Sequence, residues 1–174
     1  LEASEDIQIM VPMRKGPVGT EALNKAIQAN KWGNAKPLIK QEYRNPLFKG
    51  DKVIQTSNDY DIGVMNGDIG TILSGDDHIV VEFGGKEFQY TPDDALALEP
   101  AYAISIHKSQ GSEYSTVIIP IAKSHQFMLG RNLLYTAITR GKQHVIIVGN
   151  DEAFKAGINA TRRDFRHTIL RHIL

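Results

Sequence analysis

The sequence predicts an α/β protein whose parallel sheet is interrupted by a small β-barrel, and three observations carry that expectation. Two continuous β-branched runs, Thr116–Ile121 and His144–Val148, have the composition of parallel strands buried on both faces. Arg131–Thr139, between them, has the length and pattern of a connecting helix. Residues 47–99 instead break into apolar segments of four to six residues separated by tight-turn dipeptides, the pattern of short antiparallel strands. The predicted organisation is a first α/β part over residues 1–46, a barrel over 47–99, and a second α/β part over 100–174 that ends in a basic tail.

Taken in order, Ile7–Val11 is a short apolar run stopped by Pro12, consistent with a buried strand. The turn Gly16-Pro17-Val18-Gly19 then leads to Thr20 as a helix N-cap with Glu21 just inside, where an acid favours the helix start. Leu23, Ala26 and Ile27 share one face of that helix. From Trp32 to Asn45 the pattern is irregular, with Pro37 inside it and Pro46 after it, and reads as a linker. The barrel strands fall at Lys52–Gln55, Asp68–Leu73, His78–Phe83 and Glu87–Thr91, divided by Asn66-Gly67, Ser74-Gly75-Asp76-Asp77 and Gly84-Gly85. Gly50-Asp51-Lys52-Val53 and Asn66-Gly67-Asp68-Ile69-Gly70 have the form of turn-then-strand openings. Beyond Asn150 come a short helix and the tail Thr161–Leu174, in which Phe165, Ile169 and Leu170 form a narrow apolar stripe.

With 174 residues, 41% hydrophobic and 23% charged, the chain has enough material for one ordinary core and a small satellite, which argues against disorder. It has no cysteine, no apolar stretch approaching the length of a membrane span, and no basic-apolar leader. A cytoplasmic protein without a membrane partner is the expectation. The net charge of zero conceals a division, because residues 47–99 hold three Lys against eleven Asp and Glu, a net of −8. The remainder holds 17 basic against nine acidic residues, a net of +8. A basic body suits phosphate-bearing partners, whereas the acidic insert would be repelled by a nucleic-acid backbone unless its few basic and aromatic groups gather on one face. Ordinary solvated surface on two domains accounts for the same pattern.

Chemistry concentrates in two blocks, AYAISIHKSQGSEYSTV at Ala101–Val117 and LLYTAITRGKQHVIIVG at Leu133–Gly149. In each, residues able to hold phosphate or ribose (His107, Lys108, Ser109, Gln110 and Glu113; Thr136, Thr139 and Arg140) adjoin an apolar strand, which is the layout of a split nucleotide site. The Arg140 guanidinium can place two parallel donors against a phosphate, or it can simply end a helix by capping carbonyls. Glu113 follows Gln110-Gly111-Ser112, where glycine lets the backbone approach a ligand and a carboxylate can accept from a ribose, although a plain surface acid fits as well. Gln110 has two readings, a phosphate contact or a relay between nucleotide and strand.

Ser105, His107, Lys108 and Ser109 supply donors suited to the backbone of a single nucleic-acid strand, with a structural histidine as the alternative for His107. Thr136 and Thr139 serve a helix carbonyl equally well. In the barrel, Lys52, Tyr60, Lys86 and Tyr90 are candidate contacts, although barrel aromatics are usually core. No stretch matches G-x-x-x-x-G-K-[ST], since Gly85-Lys86 and Gly141-Lys142 lack both the earlier glycine and the following hydroxyl residue. No Walker-B acidic pair and no metal-ligand spacing appear either.

The two blocks resemble motifs V and VI of superfamily 1 DNA helicases, and HKSQGSE with LLYTAITRGK is closest to the RecD and TraA branch. IQIMVPMRKGPVGTEALNKAIQ at Ile7–Gln28 resembles that branch's motif IV region. The resemblance implies a RecA-like second motor domain of the P-loop NTPase type, interrupted by an SH3-like barrel, from an ATP-dependent helicase similar to the exonuclease V alpha subunit and moving 5′ to 3′. It implies Arg140 and Arg14 as catalytic residues on the phosphates of ATP, with Gln110, Gly111 and Glu113 completing the nucleotide site. It places Ser105 and His107, with Lys108 and Ser109 beside them, at single-stranded DNA; Ser105 stands where the pattern often has Thr and keeps the hydroxyl.

Magnesium would arrive with ATP and be held mainly by a P-loop motor domain of the same parent chain. That domain, single-stranded DNA and other exonuclease V-type subunits are the implied partners. The chain is then expected to be the second half of a motor, cut from a longer protein and unable to hydrolyse ATP alone. A relaxase-linked or phage-type helicase of the same branch would share this chemistry. The rival reading is a non-catalytic nucleic-acid-binding or protein-docking module centred on the barrel, sensitive to Lys86 and Tyr90 and indifferent to Arg140.

Overall fold

The computed structural model of the chain describes residues 6–39, 46–75 and 78–160. The first elements are strand β1 (Ile7–Val11), helix α1 (Thr20–Trp32) and strands β2 (Lys52–Gln55), β3 (Ile69–Gly75), β4 (Ile79–Phe83), β5 (Lys86–Tyr90) and β6 (Leu98–Pro100). There follow β7 (Ala103–Ser105), β8 (Tyr114–Ile121), α2 (Arg131–Ile138), β9 (Gly141–Gly149) and α3 (Asp151–Asn159). The tail with Phe165, Ile169 and Leu170 lies outside the described residues, as does the Asp76-Asp77 turn.

The strands form two sheets, one of order β7-β1-β8-β9 with every pairing parallel, the other of order β5-β4-β3-β2-β6 and antiparallel. This is the mixed architecture that the periodicity predicts. Each sheet carries its own apolar core. Met10, Ile104, Val117, Ile119, Leu134 and Ala137 belong to the first, and Val53, Ile72, Val81, Phe83, Tyr90 and Leu98 to the second.

Two expectations change. Strand β9 is not buried on both faces: it is the outermost strand among the described residues, and Val145 to Val148 are each more than a third exposed. On β8, only the face of Val117, Ile119 and Ile121 is fully covered, in the core shared with α2 and α3. A β-branched run reports strand propensity, and whether both faces are covered depends on what packs there.

Helix α1 begins at Thr20 with Gly19, not Thr20, as its N-cap, because the chain folds so tightly there that a Cβ on residue 19 would lie 2.4 Å from the Arg14 carbonyl oxygen. Its most buried positions are Asn24 and Gln28, one turn apart, while Leu23, Ala26 and Ile27 remain partly or wholly exposed. The Asn24 amide donates to the carbonyls of Pro100 (2.8 Å) and Ala103 (2.9 Å) and accepts from Ala103 N–H (2.8 Å). Where the chain passes from one sheet to the other, helix α1 thus supplies an amide to the backbone groups of Pro100 and Ala103.

The other half of this seam is Asp51, fully buried in the turn that opens β2. One carboxylate oxygen accepts from Trp32 Nε1 (2.6 Å) and Tyr102 OH (2.8 Å), the other from Gln28 Nε2 (2.7 Å) and Phe48 N–H (2.8 Å). Lys31 Nζ donates to the Tyr102 hydroxyl (3.1 Å) and the Gly50 carbonyl (3.0 Å), bringing a positive charge to the rim. Burial first, and then the Asp51 charge, pushes the Tyr102 phenol well above its ordinary pKa, so it stays a donor. Gly50, at φ +80°, lies under the Trp32 ring, which a Cβ there would meet at 2.9 Å. The sequence offered Asp51 only as part of a turn; the structure makes it the bond between helix, barrel and sheet.

A further buried polar group, His125, is fully enclosed and accepts from Ala122 N–H through Nδ1 (3.2 Å). Burial holds its pKa below the ordinary imidazole value.

Asp51→Ala leaves four donors without their acceptor and is expected to lower the unfolding free energy by about 3–5 kcal/mol. Urea titration followed by the fluorescence of Trp32, the single tryptophan, reads this directly. For His125 the depressed pKa means that, as pH falls below about 6.5, the unfolded chain binds a proton that the folded one excludes. Stability is therefore expected to decline on acidification from pH 7 toward pH 5 by more in the parent chain than in His125→Asn.

Candidate functional site

The parallel sheet has two working ends. At one, β1 and β7 finish together, with Val11 paired to Ser105. At the other, β8 and β9 begin together, with Tyr114 paired to Gly141. Because Ile9 pairs with Ile118, Val11 lies level with Pro120, six residues along β8 from Tyr114. At about 3.3 Å per residue the two ends are about 20 Å apart. The stretch from Ser105 to Tyr114, a 3₁₀ turn over Ile106–Ser109 followed by Gln110–Glu113, connects them.

Arg140 occupies the end where β8 and β9 begin. Its carbonyl accepts from Tyr114 N–H (2.8 Å), and its Nη1 donates to the Ser112 carbonyl (3.2 Å). The guanidinium is thereby held against the Gly111–Glu113 loop, while its Nε is buried with no hydrogen-bond partner among the described residues. Gly111 stands at φ +88°, and beyond its chain neighbours no atom of the described residues lies within 4 Å of where a Cβ would be. Gln110 and Glu113 are exposed beside it. Glu113 pairs with Lys142 at 3.3 Å. Arg140 thus sits against the loop that carries Gly111 and Glu113, with Gln110 just before it in the chain. Lys142 is an addition that the sequence offered only as a failed Gly-Lys pair; the clue was its place two residues beyond Arg140.

At the opposite end, the Ser105 hydroxyl caps the 3₁₀ turn, accepting from Lys108 N–H (3.3 Å), and His107 is exposed. Lys108 Nζ lies 3.6 Å from Glu99. Ser109 departs from expectation: it is fully buried and its hydroxyl donates to the Ile106 carbonyl (2.7 Å), so it stiffens the turn and presents no donor outward. Arg14 departs further. It does not approach Arg140 but lines a cavity of about 70 Å³ with Ser105, Lys108 and Glu99. There its Nε donates to Glu21 (2.7 Å) and its Nη2 to Glu99 (3.0 Å). The Glu21 hydrogen bond and the Glu99 charge raise its pKa still further. The cause is topological, since Arg14 follows the C-terminal end of β1 while Arg140 precedes the N-terminal end of β9.

Thr136 and Thr139 donate to the helix carbonyls of Asn132 (2.9 Å) and Thr136 (3.1 Å). Of the barrel candidates, Tyr90 is core, its hydroxyl donating to Gln55 (3.2 Å), and Lys52 donates to the Ile7 carbonyl (3.1 Å). Tyr60 and Lys86 face solvent.

Comparison with known proteins gives the chain's family. Residues 100–148 match the UvrD-like helicase C-terminal domain, and residues 23–83 match the SH3 domain of ATP-dependent RecD-like DNA helicases. The chain is 35% identical to the ATP-dependent RecD2 DNA helicase of Deinococcus radiodurans, over 94% of its own length and 23% of that protein's. It is 32% identical to the RecBCD enzyme subunit RecD of Mycobacterium tuberculosis, over 98% of its length and 29% of the relative's. The chain therefore spans about a quarter of the length of these curated relatives. In fold it is similar to the Pif1 helicase from Bacteroides in complex with ADP-AlF3 and single-stranded DNA (TM-score 0.59, 21% identity, 86% of this chain and 42% of that one). The resemblance to RecD-like helicases read from the three sequence blocks is borne out.

Gly111→Ala puts a side chain in the left-handed region and is expected to cost about 1–2 kcal/mol of stability by urea titration, although nothing crowds it.

Proposed function

We propose that this chain, which corresponds to the C-terminal region of RecD-like helicases, acts as the second motor domain of an ATP-dependent DNA helicase moving 5′ to 3′ on single-stranded DNA. The observation that carries the reading is the two-ended sheet, with Arg140 and its loop at one end and the Ser105–Lys108 turn at the other. The Arg140 guanidinium held against the Ser112 carbonyl, next to the open space at Gly111, fits a phosphate and the backbone that would approach it. ATP with magnesium, held mainly by the P-loop domain of the same parent chain, would supply the chemical step.

This chain's own residues position and couple. Arg140 aims fixed positive charge at the phosphate oxygens, without the reorganisation that a mobile lysine would need. Glu113, which now pairs with Lys142, accepts from ribose hydroxyls. Ser105, His107 and Lys108 hold strand phosphates, which positions DNA without reading its sequence. We assign Arg14 to this strand side because of its place beside Ser105 and Lys108. The short connection from Ser105 to Tyr114 is the mechanical link, and closing the nucleotide end on its ligand shifts the grip at the strand end.

Other exonuclease V-type subunits are proposed partners, after the name of the mycobacterial relative. No helix among the described residues is long and apolar enough to cross a membrane, and we place the protein in the cytoplasm with DNA. The barrel-centred binding module loses Tyr90, which lies in the core, from its proposed contacts. In the parent protein, Arg140→Ala is expected to lower ATP turnover by about 1,000-fold while single-strand binding stays nearly unchanged. Normal turnover in that variant would sink the assignment.

A further inference from the structure

We propose that Glu99 is a positioning residue that occupies the place of a strand phosphate between Arg14 and Lys108, so that DNA must displace it to bind. The inference rests on the strand-side reading above.

Glu99 lies on β6, whose Cα pairs with Ile54 of β2, so the antiparallel sheet carries it to the edge of the parallel one. One carboxylate oxygen receives Arg14 Nη2 at 3.0 Å and the other faces Lys108 Nζ at 3.6 Å. The side chain is only 19% exposed, and water and salt screen it less than they would a surface acid. Arg14 is further committed by Glu21, which takes Nε at 2.7 Å. The Nε and Nη2 edge of a guanidinium is the edge that grips a phosphate with two parallel bonds. Here carboxylates fill it.

Among the described residues the cluster sets the cations Arg14 and Lys108 against the anions Glu21 and Glu99, around the cavity that Ser105 also lines. A carboxylate and a phosphate compete for the same donors, and Glu99 sets how much positive charge the strand meets. Five residues of chain separate Glu99 from Ser105, so a displacement of β6 moves the competitor relative to the grip. The acidic barrel thereby acts on DNA through one side chain at its junction and needs no DNA contact of its own.

The test uses the full chain and a fluorescein-labelled oligothymidylate, with anisotropy read across a salt series. Glu99→Gln is expected to bind on the order of three- to tenfold tighter at low salt and to steepen the log K against log salt slope by about one. Glu99→Asp, which keeps the charge but withdraws it by one methylene, is expected to fall between Glu99→Gln and the parent. Arg14→Gln and Lys108→Gln are expected to weaken binding. Circular dichroism and a thermal melt establish that each variant is folded. If Arg14→Gln and Lys108→Gln weaken binding but folded Glu99→Gln and Glu99→Asp bind no tighter than the parent, the competitor role falls and the strand-side reading stands. If Arg14→Gln and Lys108→Gln leave binding unchanged, the strand-side reading falls and takes the proposal with it.

Discussion

A single buried carboxylate holds this molecule's parts in register. Asp51 receives four hydrogen bonds, from helix α1 (Gln28 and Trp32), from the chain entering the barrel (Phe48 N–H) and from the segment leaving it (Tyr102). A charge so enclosed is tolerable only when its lone pairs are satisfied, and here each oxygen has two donors. Asn24 repeats the logic one turn earlier on the same helix. The two sheets each have an apolar core, and Ile54 and Ile69 of the antiparallel sheet pack into the core of the parallel one, so the polar seam adds direction to an apolar contact. Polar bonds are directional where apolar contact is not, so the seam specifies an orientation.

That orientation matters because the strand end of the parallel sheet is built from both bodies. Ser105 and Lys108 come from the parallel sheet and the turn after it, Arg14 from the loop after β1, and Glu99 from the antiparallel sheet. The Arg140 end, by contrast, draws on the parallel sheet alone, through Arg140 and the loop before β8. The two ends are separated by about 20 Å.

The parts legible in the sequence are those with local signals. Continuous β-branched runs located β8 and β9, the Gly-containing turns located the barrel strands, and the two polar blocks located both ends of the sheet. What escaped was set by long-range placement. Nothing near Arg14 says that its strand end faces away from Arg140, because parallel pairing decides it. Nothing near Ser109 or Tyr90 announces burial, since a serine in a polar block and a tyrosine in a barrel carry the same letters whether they face in or out. Asn24 and Gln28 were invisible for a different reason. A hydrophobic-periodicity reading assigns the buried face of a helix to its apolar residues, and here the buried face is made of amides that serve backbone groups.

Strand β9 carries one more implication, for the handling of the molecule. Four consecutive β-branched residues, Val145 to Val148, stand on a strand whose outer ladder has no partner among the described residues. Such an edge is a template onto which another extended segment can add, and its apolar side chains favour the addition. Solutions of the chain by itself are thus biased toward self-association as concentration rises. Buffers and dilution series chosen with that edge in mind will separate the behaviour of a single copy from that of an assembly.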